Sequence, residues 1–217
     1  HHRRTLPAAA TGVGRKHLRL NRNSWNQFLM GSLAGLGLFL IAQNGGLADD
    51  ALNSDSWQQF ERRVRDGEIG LTEGRAQIVH WAEVLEQRYG SERLDRQIFF
   101  PLKGYGLPSI GGKNGEGYQP GGYEFLGGNR HKGHPAQDIF IHDRNQDGLD
   151  DRTGRPAEVL ALADGVVFST FTEWAPDEAH RHIRGGNYVW IYHPALRIFS
   201  YYAHLQDLRV GLGETVH

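Results

Sequence analysis

The chain has no cysteine in its 217 residues. That absence excludes a disulfide framework, a thiolate zinc finger, an iron–sulfur cluster and a cysteine nucleophile. Any bound metal must be held by histidine and carboxylate, and 12 histidines are present. Acidic residues are missing before Asp49, where Arg3, Arg4, Arg15, Lys16, Arg19 and Arg22 carry the only charges. Removing those six from totals of 24 basic and 25 acidic residues leaves 18 against 25, a balance of −7 from Asp49 onward. Such a balance lacks the clustered lysine and arginine that phosphate backbones require, so nucleic acid is not an expected partner. The longest apolar run, FLMGSLAGLGLFLIA, covers only residues 28–42. As a helix it would reach roughly 22 Å, short of the ~30 Å hydrocarbon core of a bilayer.

That run lies between a basic stretch and a small-residue segment, the layout of a secretory signal. Gly46 and Ala48 fit the −3 and −1 positions of a cleavage site, with Asp49 opening the mature chain. An uncleaved N-terminal anchor and a buried apolar helix are the other readings. The expected location is the cell envelope, periplasmic or extracellular, with membrane contact only through this segment. The chain thus divides into a basic leader or anchor at 1–48, a helical segment at 49–100 and a main domain at 101–217.

In the helical segment, Gly67 and Gly70 separate a short helix near 57–65 from a longer one near 73–89. Ile78, Trp81, Ala82, Leu85 and Tyr89 follow the i, i+3, i+4 rhythm. Leu71 and Thr72 read as staple and N-cap, and the pair of helices as a packing hairpin or spacer. Eleven of the 34 residues from Pro101 to His134 are glycine, which predicts long loops bordering a site or a linker. From Gln137 the pattern is β, with short aromatic and β-branched runs at 138–142, 159–163, 166–170, 188–192 and 198–204. The Asp164-Gly165 step predicts a tight hairpin, and the short intervals predict antiparallel pairing. The fold class expected is therefore mainly β, an antiparallel sheet with a short N-terminal helical segment.

Three groups of residues carry potential chemistry. His134 and Asp138 are four apart in GHPAQDIFI; in an extended strand their Cα atoms would lie ~13 Å apart, too far for one ion. Pro135 disfavours a helix at this point, so a curled loop entering a strand at Asp138 is the geometry that brings both to Zn²⁺. A loop histidine and a turn-capping aspartate satisfy the same spacing. In SYYAHL, strand alternation places Tyr202 and His204 on one face and Tyr201 and Ala203 on the other. His204 could then polarise water or an oxyanion, or simply meet a backbone carbonyl. The third group is the loop DRNQDGLDD, where Asp143, Asn145, Asp147, Leu149 and Asp151 match oxygen positions of a calcium loop. Position 12 is Gly154 rather than glutamate, which excludes an EF-hand and leaves either a Ca²⁺ loop or a solvated acidic turn.

Taken in order, GHPAQDIFI, PAEVLALADGVV, GGNYVWIYHP, YYAHL and VGLGETV resemble the lysostaphin-type (LytM-like) zinc metallopeptidases that cut peptidoglycan peptides. The resemblance covers about residues 133–216. It implies an antiparallel groove built from a duplicated hybrid motif, one Zn²⁺ held by His134 and Asp138, and a catalytic His204. Ala136 stands where the family usually has glycine. The family's pattern continues to a His-x-His segment that supplies the third zinc ligand and a second catalytic histidine. The chain ends at His217, a poor substitute, so this polypeptide alone is expected to be inactive. His131 and His193 read as loop and strand residues. A LytM-like module that binds cell wall without cutting it, and a calcium-dependent adhesion domain, are the competing expectations.

Overall fold

The computed structural model describes residues 53–90, 97–111, 124–127 and 136–217, together with the backbone of 18–20 and 25–32. The described strands are β1 (Leu18–Leu20), β2 (Trp25–Ser32), β3 (Gln137–Phe140), β4 (Leu149–Asp150) and β5 (Arg155–Pro156). They continue with β6 (Glu158–Val159), β7 (Gly165–Phe171), β8 (Asn187–His193), β9 (Ile198–Asp207) and β10 (Thr215–Val216). Helices α1 (Ser54–Arg65) and α2 (Leu71–Tyr89) precede the main run of strands.

The class is mainly β, and every described strand pairing is antiparallel. The curled main sheet runs β10-β7-β8-β9-β1-β6, while β2 pairs with β9 and β3; β4 and β5 form a separate ribbon. Strand β2 takes in the first five residues of the apolar run at 28–42, whose remainder lies outside the described residues. Among the described residues no helix is long and apolar enough to cross a membrane.

Alternation along β8 divides the interior into two cores. Tyr188, Trp190 and Tyr192 face an aromatic core, whereas Val189 and Ile191 face an aliphatic one. Leu102, Ile139, Ile141, Ala157, Val159, Val210 and Val216 close the aliphatic side. The helical hairpin closes the aromatic side through Trp57, Phe60, Val64, Trp81 and Leu85.

Helix α1 begins where Asn53 and Ser56 form a capping box, with Ser56 N–H donating to Asn53 Oδ1 at 2.9 Å. Its apolar residues recur at 57, 60 and 64, so one stripe meets the sheet. Trp57 is the centre of that contact, 1% exposed and edge-on to Trp81, Phe168 and Trp190 at 5.0–5.1 Å between centroids. Burying an indole of roughly 200 Å² is worth about 5 kcal/mol, enough to dock a two-helix element. Polar bonds fix its register: Tyr192 Oη donates to Glu86 at 2.7 Å and Gln58 Nε2 to the Thr170 carbonyl at 3.0 Å.

Several local expectations need correction. Gly70, not Thr72, is the N-cap of α2, and Leu71 lies exposed in its first turn rather than acting as a staple. The run at 159–163 forms a strand only through Val159, and β6 pairs with β1 rather than with β7. Asp164-Gly165 is therefore not a hairpin turn. Gly165 lies outside the positive-φ region, and a Cβ there would sit 2.6 Å from the Tyr192 carbonyl and 2.7 Å from His193 Nδ1. Close crossing of β8 requires that glycine; turn geometry does not.

Candidate active site on β3 and β9

The SYYAHL run folds as a strand with a defect in it. Tyr202 pairs with Val189 and Leu205 with Asn187, so three steps on β9 face two on β8, which is a β-bulge. Within it His204 adopts φ +56°, and its N–H donates to the Gly185 carbonyl at 2.7 Å. Placing a non-glycine residue in this left-handed region costs about 1–3 kcal/mol. The buried anchors on either side, Tyr202 and Leu205, hold the backbone there.

The bulge overturns simple alternation. Tyr202 and Leu205 share the aliphatic core while Ala203 joins the aromatic one, so His204 leaves the row of Tyr202 and stands half-buried at the bulge. Gly186, at φ +61°, runs alongside; a Cβ on it would lie 3.7 Å from both His204 Cα and Nδ1. Trp174 borders the same spot and is tied down by its N–H, which donates to Asn187 Oδ1 at 3.0 Å.

Asp138 is on β3. Its neighbours Ile139 and Ile141 enter the aliphatic core, so alternation turns Asp138 toward the opposite face, with its Oδ1 shielded from solvent. Its carbonyl accepts Gly111 N–H at 2.9 Å. Phe28 of β2 pairs with both Gln137 and Tyr202. Asp138 and the 203–204 bulge, each one step past that pair, therefore lie on the same side of it, two strand spacings or roughly 10 Å apart. His134 and His131 lie outside the described residues.

Two other histidines sit elsewhere. His217 pairs with Asp164 at 3.4 Å on the far edge of the sheet, where β10 joins β7. It is three strands from β9 and away from Asp138. His193 is fully buried, its Nδ1 3.0 Å from the Asp164 carbonyl and its Nε2 2.7 Å from Ser200 Oγ. Burial pushes its pKa down to about 4, so it is a neutral core residue at physiological pH.

In the acidic loop the carboxylates serve the backbone. Asp143 accepts N–H bonds from Asp147 at 3.0 Å and Gly148 at 2.9 Å, Asp147 accepts from Leu149 at 2.8 Å, and Asp151 from Arg144 at 3.0 Å. Asn145 Nδ2 donates to Asp147 at 2.9 Å. Among the described residues no group of three histidine, aspartate or glutamate side chains is gathered as a metal cage. The loop is moored by Asp150, which is buried and accepts bonds from Tyr105 Oη at 2.7 Å and Arg152 Nη2 at 2.9 Å. Arg152 holds the Asp150 carboxyl well below the usual range, while burial and this bond push Tyr105 up to about 12.

A carboxylate that the sequence reading passed over lies on the other core. Glu61 falls on the apolar stripe of α1, four residues from Trp57, and that placement was its only sequence signal. Its carboxylate accepts Trp190 Nε1 at 2.7 Å and Tyr188 Oη at 3.1 Å. Desolvation outweighs those bonds and raises its pKa to about 7.

Comparison with protein-family models, curated proteins and solved structures finds no match for the chain.

Proposed function

We propose that the chain is a zinc metalloendopeptidase of the lysostaphin type, acting on peptide bonds of peptidoglycan. The observation that carries this reading is the bulge within β9. It spends backbone strain to hold His204, the histidine of the YYAHL motif, within two strand spacings of Asp138. Among the described residues Gln146 and Arg197 share this conformation in turns, whereas His204 adopts it inside a paired strand, and it is the residue to which the resemblance gives a catalytic role.

The donor types fit zinc: an aspartate whose Oδ1 is kept from solvent, preceded four residues earlier by His134. Zinc bound there would supply Lewis-acid activation of water and of the scissile carbonyl near neutral pH. Asp138 and His134 would hold the ion; the Gly185 carbonyl fixes the His204 backbone; the His204 imidazole would take up or donate a proton, or hydrogen-bond a developing oxyanion. Gly186 keeps bulk away from that imidazole. With His217 paired to Asp164, a third ligand has to come from outside the described residues.

Zinc stoichiometry tests this reading. Protein carried through its natural C-terminus is expected to bind one equivalent, reduced at least tenfold in affinity in Asp138→Ala and His134→Ala. His204→Ala should retain the metal and lose cleavage. Stoichiometric zinc without cleavage would favour a module that binds cell wall but does not cut it.

A further inference from the structure

Helix α1 lies outside the stretch that carries the family resemblance, yet it closes a cavity of about 130 Å³ against the sheet beside His204. The floor is aromatic: Phe171, Tyr188, Trp190 and Tyr201. The rim is basic, with Arg62 and Arg65 from α1 and His182 and Arg184 from the loop before β8. Arg65 is committed, paired with Asp66 at 2.7 Å and donating to the His182 carbonyl at 2.8 Å. Arg62 enters no ion pair among the described residues. The cavity ends at Gly185, whose carbonyl holds the His204 backbone, so its occupant would lie next to the candidate catalytic residue.

An aromatic floor under a basic rim suits a ligand with a small apolar body and one negative end. We propose that this cavity binds the C-terminal residue of a short peptide, with its side chain on Tyr188, Trp190 and Tyr201 and its free carboxylate against Arg62 on the basic rim. The choice of a peptide rests on the function proposed above; the choice of a carboxylate rests on the rim. Selectivity arises because replacing the carboxylate by an amide leaves the apolar contacts and removes the charge met by Arg62.

Among the described residues the only carboxylate in the cavity wall is Glu61, and it makes the affinity depend on pH. Facing it are Arg62 and Arg65 on its own helix, His182 and Arg184 on the loop, Tyr188 and Trp190 on β8 and Tyr201 on β9. Ionised Glu61 opposes an incoming anion and protonated Glu61 does not, so binding strengthens as pH falls through about 7. His182 also lies on the rim, and a His182→Gln background removes its contribution.

Titration calorimetry with N-acetyl-D-alanyl-D-alanine and its C-terminal amide tests the proposal. The acid is expected to bind, with the amide about tenfold weaker or worse, the loss associated with one charge-assisted hydrogen bond. Arg62→Gln should weaken the acid by a similar factor and leave the amide unchanged, and Arg62→Lys should restore part of it. In the His182→Gln background the acid should bind more tightly at pH 6 than at pH 8, and Glu61→Gln should abolish that difference. Equal binding of acid and amide, absence of saturable binding by both, or a pH trend that survives Glu61→Gln would overturn the proposal. Because the readout needs neither zinc nor turnover, a protein that binds the acid but cuts nothing keeps the cavity assignment and loses the peptidase. Cutting without acid binding does the reverse.

Discussion

Replacing Glu61 by glutamine should stabilise the protein above pH 7 and alter how its stability varies with pH. The carboxylate is enclosed between α1 and β8, with a folded pKa of about 7 against an ordinary 4.5. A raised carboxyl pKa means that the neutral form is the one the fold favours. Its contribution is complete below pH 4.5, is lost as pH rises toward 7, and stays lost above that. The interval corresponds to roughly 3 kcal/mol, an upper figure because the residue is partly accessible. His193 acts in the opposite sense over much of the same range. Its folded pKa is about 4 against 6.5 unfolded, so its contribution is complete above pH 6.5 and is lost as pH falls toward 4. The two oppose each other, and the wild-type profile between pH 4.5 and 6.5 should be shallow. The difference between wild type and Glu61→Gln isolates Glu61, since glutamine can still accept from Trp190 and meet the Tyr188 hydroxyl. Urea unfolding at half-unit intervals from pH 4.5 to 8 should show the variant gaining about 1–3 kcal/mol on wild type across that range. A difference that is constant with pH, or that grows toward acid, would refute the buried-carboxylate account.

Trp57→Ala should cost about 3–5 kcal/mol, because the cavity it leaves is bordered by six aromatic rings among the described residues; thermal unfolding and loss of near-ultraviolet dichroism would show it. Tyr105→Phe removes the hydroxyl that donates to Asp150 and accepts His142 N–H, and should destabilise by about 1–2 kcal/mol, read as a lower denaturant midpoint at unchanged slope. Gly185→Ala drives a methyl into the Tyr201 hydroxyl and should shift the His204 imidazole resonances; Tyr201→Phe in the same chain should recover part of the wild-type spectrum. An unchanged His204 spectrum in Gly185→Ala would remove Gly185 from the support of that residue.

The elements that were legible in the sequence are those whose reasons are local. Apolar spacing marked both helices, and β-branched and aromatic runs marked β3, β7, β8 and β9. What escaped was set by contacts between distant segments. Gly165 looked like a turn residue because Asp-Gly between apolar runs usually is one, but here the glycine answers to the approach of Tyr192 and His193 from another strand. The face of His204 was misread because a bulge inserts a residue that no period of two can reveal. Glu61 was visible as a carboxylate on an apolar stripe, yet its burial depends on Tyr188 and Trp190, 127 and 129 residues away. Asp138 and His204 were singled out separately, and only the pairing of β2 with both β3 and β9 gives them a common row.

Digestion of purified peptidoglycan tests the central claim most directly. The full-length protein is incubated with and without a zinc chelator, and the released muropeptides are identified by mass spectrometry. The account predicts peptide-bond cleavage that the chelator abolishes, that zinc restores, and that is missing from a folded His204→Ala variant. Absence of released peptides from a folded, zinc-replete protein, or cleavage undiminished in His204→Ala, would contradict it.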